Sequence, residues 1–355
     1  MSAPAPDTAR LDAGEIFDPF VKARGLLIAV SGGPDSLALL ALAAEWAAAE
    51  GRAPIHAATF DHGFRPESAA EARLVAGICQ NLGIPHATLA WRGPKPATRI
   101  QESARARRYQ ALLDHAASIG ASHLLTAHHA DDQAETILFR LMRGSGIVGL
   151  GGMKTSRPRG GLIHARPLLH VPKTMLIEAC RTHGLSFVED PSNRDPRFAR
   201  TRMRELTKTL SDGGMKTTDW ARLAARARRA DEALAAATLQ LAETLHVRRT
   251  VDRIECDARP LASAPAELVL RLLVGEIARL GHAPRLERAE PLADLLQQRI
   301  ATNSAFRATL GGTLIDLSAD GRLHIGREKP RRARAISASG RDKTAEPHCD
   351  VHDDG

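Results

Sequence analysis

Aromatic residues are sparse in this chain. Only 3% of its 355 residues are Phe, Trp or Tyr, and Tyr109 is the single tyrosine. That excludes a base-stacking platform of the RRM or OB type, which lays several exposed rings against nucleobases. Cysteine is scarce as well: four residues, Cys79, Cys180, Cys256 and Cys349, with no CxxC pair. A zinc ribbon, an iron–sulfur site and a disulfide framework are thereby set aside. Apolar runs stop at about a dozen residues, short of the ~20 needed to span a bilayer. The N-terminus, MSAPAPDTARLDAGEIFDPF, has no apolar h-region and carries several acids, so neither a signal peptide nor a transit peptide is expected. The expectation is a cytoplasmic protein with no membrane partner.

What the chain does contain is ordinary for a globular protein of two or three domains: 43% hydrophobic and 25% charged residues. Lys and Arg outnumber Asp and Glu by 49 to 41, a net charge of +8. This favours a polyanionic partner. With so few rings, arginine–phosphate contacts would dominate any binding of nucleic acid.

The first half alternates strand and helix patterns. GLLIAV (Gly25–Val30), IHAATF (Ile55–Phe60), PHATLAW and HLLTA (His123–Ala127) read as strands. Helical patterns follow the first at DSLALLALAAEWAAAEG, and the third and fourth at Ile100–Ser118 and about Asp131–Met142. After the second strand, Ser68 and Glu71 suggest a capping box, and Val75, Ile78, Cys79 and Leu82 recur at helical spacing. The predicted architecture is a doubly wound, parallel α/β sheet, whose ligands bind beyond the carboxyl ends of the strands. Three polar clusters fall at such ends: Ser31–Ser36, Asp61–Arg65 and His128–Asp132. Beyond SDGGMKTTD (Ser211–Asp219), which reads as a linker, helical patterns follow at Trp220–Leu245, Pro265–Leu280 and Arg285–Gln298. Short strands are expected near Phe306–Asp316 and Arg322–Ile325. The predicted organisation is an N-terminal extension (1–20), a catalytic domain (21–212), a mainly helical domain with short terminal strands (213–328) and a polar, patternless tail (329–355) expected to be disordered.

The loop Ser31-Gly32-Gly33-Pro34-Asp35-Ser36 puts backbone amides and hydroxyls at a helix N-terminus, an anion cradle. The Lys of a Walker A loop is missing, because Pro-Asp-Ser follows the second Gly. Asp35 among phosphates would be repelled unless Mg²⁺ neutralised it. A capped turn is the bland alternative. In AHHADDQAET (Ala127–Thr136), His128 and Asp132 stand at i and i+4, while Asp132, Glu135 and Thr136 share a helical face. The order is not H-E-x-x-H, so the zinc-hydrolase reading fails. His129 and Asp131 look like solvated residues of the helix start, with Asp131 a candidate N-cap.

SGGPDS after a strand resembles the signature of the PP-loop, or N-type ATP pyrophosphatase, superfamily. FDHGFRPES, ESARARRYQAL, AHHADDQAETILFRLMRGSGIVGLGGM, RPLL and EDPSNRDPRFARTRMR, in that order, narrow the resemblance to the bacterial tRNA(Ile)-lysidine synthases. One departure is Thr201, where that family usually has Asn. The resemblance implies a two-step ligation. ATP adenylates the C2 oxygen of the wobble cytidine in the CAU anticodon of tRNA(Ile), and L-lysine then displaces AMP. It implies pyrophosphate and Mg²⁺ at Ser31, Gly32, Gly33, Pro34, Asp35 and Ser36, with Asp35 the metal ligand. It also implies adenosine between Ala29 and Phe60, Asp61 beside the reacting centre, and Arg105 and Arg108 on the α-phosphate. His128 and Asp132, with Glu135 nearby, would line the place where cytidine, AMP and lysine meet. Arg143, Gly144, Ser145 and Gly146 would shape a substrate loop.

Arginines cluster at Arg197, Arg200, Arg202 and Arg204, and again at Arg222, Arg226, Arg228 and Arg229. By spacing alone each set is equally a solvated face; a tRNA substrate would make them phosphate contacts. The rival readings are a PP-loop tRNA 2-thiocytidine synthetase, an amidating relative, and a tRNA-binding protein without catalysis. The first needs cysteines near the loop, and none of the four is expected to be so placed. The second needs a glutaminase nucleophile, which is absent. The oligomeric state stays open, a dimer included.

Overall fold

The computed structural model describes residues 10–64, 67–91, 93, 95, 98, 100–187 and 199–328. The EDPSN motif, Arg65, Arg197, the side chains of Arg200 and Thr201, and the tail expected to be disordered lie outside what is described. The chain divides into two compact units, Met1–Leu234 and Ala235–Gly355.

In the first unit, helix α1 (Ala13–Phe17) leads into strand β1 (Leu26–Ala29), helix α2 (Pro34–Ala47), strand β2 (Ile55–Asp61), helix α3 (Glu67–Asn81), strand β3 (His86–Ala90), helix α4 (Ile100–Ser118) and strand β4 (His123–Leu125). Helices α5 (Ala130–Leu141) and α6 (Gly146–Leu150), strands β5 (Ser156–Arg159) and β6 (Leu162–Ala165), and helices α7 (Lys173–Thr182) and α8 (Ala199–Asp212) follow, and helix α9 (Thr217–Thr244) begins in this unit and ends in the second. The sheet order is β3-β2-β1-β4-β6-β5. All pairs are parallel except β5 with β6. Leu26, Leu27 and Ile28 are fully buried because both faces of the sheet are covered, which is why β1 reads as an unbroken apolar run rather than an alternating one. Helix α2 is buried all round over Ser36–Ala43, and Leu37, Leu39, Leu40 and Leu42 join this core.

Residues 12–20, set apart by sequence as an extension, belong to this core. Phe17 is fully buried and stacks on Trp46, ring centroids 5.7 Å apart. The β5–β6 hairpin has no counterpart among the strands expected from sequence. Its first strand, SRPR, is mostly exposed and carries no apolar pattern. The turn is Gly160-Gly161, with φ of +56° and +81°, a pair that suits the type I′ geometry of tight hairpins. The expected linker, Ser211–Asp219, is the end of α8, a turn through Gly214 (φ +99°) and the start of α9. Trp220 and Ala224 of α9 pack with Ile137, Leu138 and Met203, so the first unit runs into α9 rather than ending before it.

The second unit carries the expected helices as α10 (Ala266–Leu280) and α11 (Leu286–Ala301), and the terminal strands as β9 (Phe306–Leu310), β10 (Thr313–Leu317) and β11 (Arg322–Arg327). Two further strands, β7 (Arg248–Arg249) and β8 (Arg253–Asp257), complete an antiparallel sheet ordered β7-β8-β11-β10-β9. Its core joins Ile254, Val269, Leu273, Ile277, Leu296, Ile315 and Leu323.

Candidate active site

Strand order explains why residues a hundred positions apart meet. β1 pairs with β2 on one side and β4 on the other, so the connections leaving β1 and β4 diverge and open a crevice at their carboxyl ends. The loop Ser31–Gly33 leaves β1, and His128–His129 leave β4, at that crevice. Gly32 turns the loop with φ of +79°, a left-handed conformation costly for any side chain-bearing residue. The Ser31 N–H donates to Ser36 Oγ at 3.0 Å, and Ser36 Oγ–H donates to the Gly33 carbonyl at 3.0 Å. The loop is thus held closed around the N-terminus of α2.

Asp35 is the loop's charged centre. His129 Nε2 lies 3.5 Å from its Oδ2, and Lys173 Nζ, from α7, lies 3.6 Å away. The same imidazole is 3.3 Å from Asp131 and 3.5 Å from Asp132. His129 is only 3% exposed, contrary to its reading as a solvated helix-start residue. Burial opposes its charge, but Asp131, Asp35 and Asp132 outweigh burial and raise its pKa to about 10. In turn, burial pushes the Asp35 carboxyl up while His129 and Lys173 pull it down further, leaving it below its ordinary value. Asp131 is not the N-cap: that position is His129, and the Asp131 carboxylate instead accepts the Lys173 N–H at 2.9 Å, joining the starts of α5 and α7. Asp35 Oδ1 is buried without a hydrogen-bond partner, which fits a cation on that oxygen. Among the described residues no group of three or more His, Cys, Asp or Glu could hold a metal ion. A magnesium ion there would therefore draw its other ligands from phosphate and water, as Mg²⁺ commonly does.

Asp61 ends β2. Its Oδ1 accepts Ser68 Oγ–H at 2.6 Å and the Gly63 N–H at 2.7 Å. The Ser68 bond is the main cause of a lowered carboxyl pKa. Ser68, expected as a helix cap, lies inside the first turn of α3 and orients Asp61 instead. Phe60, one residue earlier, sets its ring edge-on to His62 at 4.8 Å. Ala29, half-buried, is the last residue of β1.

A cavity of about 730 Å³ opens beside this crevice. Arg105, His128, Asp132 and Glu135 line it, and Lys154, Arg157, Arg166 and Arg228 add positive charge. Arg105 and Arg108 both approach the Tyr109 ring, at 5.1 and 5.4 Å from its centroid. Burial, then Arg166 and Arg105, with Arg108 a smaller cause, press the His128 pKa down to about 2. Glu135 accepts from Arg204 Nε at 2.8 Å. One wall is the segment Gly151–Lys154. Gln133 clamps Met153 through both backbone groups (2.7 and 3.0 Å), and Arg140 and Arg228 donate to the carbonyls of Gly152 and Gly151. A Cβ on Gly152 would come within 2.6 Å of the Gln133 amide.

Arg143, Gly144, Ser145 and Gly146 do not line the cavity. Arg143, Gly144 and Ser145 form the turn between α5 and α6, which Gly146 begins, with φ of +64° and +59° at the two glycines, and the Arg143 guanidinium lies over Phe139, a cavity residue, at 4.3 Å. On α9, Arg222, Arg226 and Arg229 stand apart from Arg228, which turns inward to the Gly151 carbonyl. The expectation that no cysteine lies near the loop does not hold. Cys180, distant along the chain, donates its S–H to the Pro34 carbonyl at 3.1 Å. Burial, with the Asp35 charge, pushes that thiol up to about 11, so it is a packed side chain and not a thiolate.

The PP-loop domain family matches residues 7–210. A solved U34-tRNA thiolase, NcsA from Methanococcus maripaludis, shares the fold, with a TM-score of 0.53 at 16% identity over 62% of this chain and 78% of its own. The tRNA(Ile)-lysidine synthase of Rhodopseudomonas palustris is 45% identical over 91% of this chain and 96% of its own length. That of Methylobacterium nodulans is 48% identical over 88% and 92%. Likeness at that level, running through the crevice and on into the second unit, means that the chain belongs to the tRNA(Ile)-lysidine synthase family and builds its site on a PP-loop domain.

Proposed function

We propose that the protein is a ligase joining L-lysine to C2 of the wobble cytidine in the CAU anticodon of tRNA(Ile), with ATP converted to AMP and pyrophosphate in the cytoplasm. The observation that carries this reading is the pairing of a lysine-free phosphate loop with the cationic cavity next to it. ATP is the substrate that the PP-loop handles. The loop amides and Ser36 hold the β,γ-phosphates as a leaving group, and Ala29 and Phe60 flank adenosine. Asp35 would hold a magnesium ion, which would supply the charge that lets this carboxylate sit among phosphates. Arg105 and Arg108 stabilise the α-phosphate as the cytidine O2 displaces pyrophosphate. Asp61, locked by Ser68 and Gly63, lies by that reacting centre. In the second step the lysine ε-amine attacks C2 and AMP departs. Asp132 is the carboxylate the cavity offers beside His128 to take the ammonium proton, and Glu135 with Arg204 orients the amino acid. The protein supplies position and charge, and no nucleophile of its own.

The test is incubation with a tRNA(Ile) transcript, ATP, Mg²⁺ and lysine, followed by nucleoside analysis. Lysidine, AMP and pyrophosphate are expected, and a transcript without the wobble cytidine yields none of them. ADP and orthophosphate as main products would end the PP-loop reading. Asp35→Ala should abolish AMP formation while the circular dichroism spectrum stays that of the wild type.

A further inference from the structure

Among the described residues His128 is the one histidine on the cavity wall, and its ring is held by a chain of groups that no part of the mechanism above uses. Strands β4 and β6 run parallel with Leu124 opposite His164, so Thr126, two residues past Leu124, continues the face on which His164 stands. Thr126 Oγ1 lies 2.8 Å from His128 Nδ1 and 2.9 Å from His164 Nε2. Arg166 Nη2 lies 3.3 Å from His164 Nδ1, and its Nη1 donates to the Lys154 carbonyl at 2.8 Å. Thr126, His164 and Arg166 are 7%, 0% and 5% exposed.

Hydrogen-bond directions in this chain follow from chemistry. A guanidinium has donors only, so His164 Nδ1 must accept from Arg166. His164 then carries its proton on Nε2 and donates it to Thr126 Oγ1. Among the described residues the Thr126 hydroxyl meets no acceptor other than His128 Nδ1, so its own proton goes there. A neutral His128 thus keeps its proton on Nε2, the edge left for the cavity. Burial and the neighbouring arginines hold both imidazoles neutral, with pKa values near 2 for His128 and 3 for His164.

We propose that Arg166, His164 and Thr126 are positioning residues that fix the tautomer of His128, making it a neutral Nε2–H donor to a phosphoryl oxygen in the cavity rather than a base. The assignment of that oxygen to the adenylate rests on the function proposed above; the tautomer does not. A donor that never titrates near neutral pH offers the same hydrogen bond before and after pyrophosphate leaves, and the cavity's arginines carry the charge.

The full-length protein labelled with ¹⁵N-histidine tests the tautomer directly, with His128→Gln identifying the resonances. The expected spectrum has Nε2 protonated and Nδ1 bare, unchanged across about pH 5.5 to 8. A protonated Nδ1, or titration in that range, would overturn the proposal whether or not lysidine is made. In activity, Thr126→Val should lower kcat by about ten- to a hundredfold with little change in KM, less than the roughly hundred- to thousandfold cost of losing an oxyanion donor outright. Thr126→Ser should restore the rate, and His128→Gln, which keeps an N–H near Nε2, should exceed His128→Ala. If the Gln and Ala variants are equally inactive, or Thr126→Val changes neither kcat nor the tautomer, His128 is not a relay-set donor.

Discussion

For single residues, the environment of a side chain decides its chemistry more than its type does. His128, His129 and His164 show this within one site. His129, ringed by three carboxylates, is a buried cation, while His128 and His164, beside arginines, are neutral. A pH dependence of stability follows for His164, which is fully buried. Its folded pKa, about 3, lies below the unfolded value of 6.5. Below pH 6.5 the unfolded chain therefore binds more protons than the folded one. The stabilisation is complete above pH 6.5 and is lost as the pH falls toward 3, by at most about 1.4 kcal/mol per pH unit. Urea titrations of the wild type and His164→Gln between those limits should give a shallower acid slope for the variant. Parallel slopes would mean that His164 is already protonated in the fold.

Among the elements, α9 divides its arginines between two tasks. Arg228 faces in and holds the Gly151 carbonyl at 2.7 Å. Arg222, Arg226 and Arg229 lie off that contact, and Arg222 pairs with Asp219 at 3.2 Å. Replacing these three arginines with Glu should weaken tRNA binding steeply and leave ATP binding alone. Each arginine that no longer neutralises a phosphate should reduce the slope of log K against log salt by about 0.7 to 0.9. An unchanged slope would make the face a merely solvated one. The wall Gly151–Lys154 behaves differently, since its position depends on Gln133. Gly152→Ala forces a Cβ against that amide and combines this with a φ of +65° that alanine resists. The variant should lose activity with the fold intact, and a wild-type rate would show that the wall can shift without consequence.

Taken as one molecule, the chain has a separate core in each of its two units. That of the second unit centres on Ile315, fully buried among Ile254, Ile277, Leu296 and Ile325. Ile315→Ala should destabilise this unit by about 2 to 5 kcal/mol. Calorimetry should show a second-unit transition at lower temperature, with the transition of the PP-loop unit in place. A single transition moving as a whole would mean that the two units unfold together.

The α/β layout of the first unit is legible in the sequence, because buried parallel strands and their glycine-closed helices leave patterns in a local window. Asp35, Asp61, His128 and Asp132 stand out in the sequence, because a polar cluster at a strand's end is conspicuous against apolar runs, whereas Arg105 sits inside α4 and only its motif singles it out. SRPR is not legible as a strand, since its pairing with β6 comes from partners rather than pattern, and β7 and β8 read as charge. Which distant residues meet is settled only in three dimensions. Lys173 and Cys180 reach the loop from α7, Ser68 turns to Asp61, and Arg166 and His164 come from β6 and the residue after it. Hydrogen bonds and ion pairs act over a few ångströms in space, whatever the separation along the chain. A lone Lys, Thr or His with no cluster around it in sequence therefore has no local mark of the partner it will find.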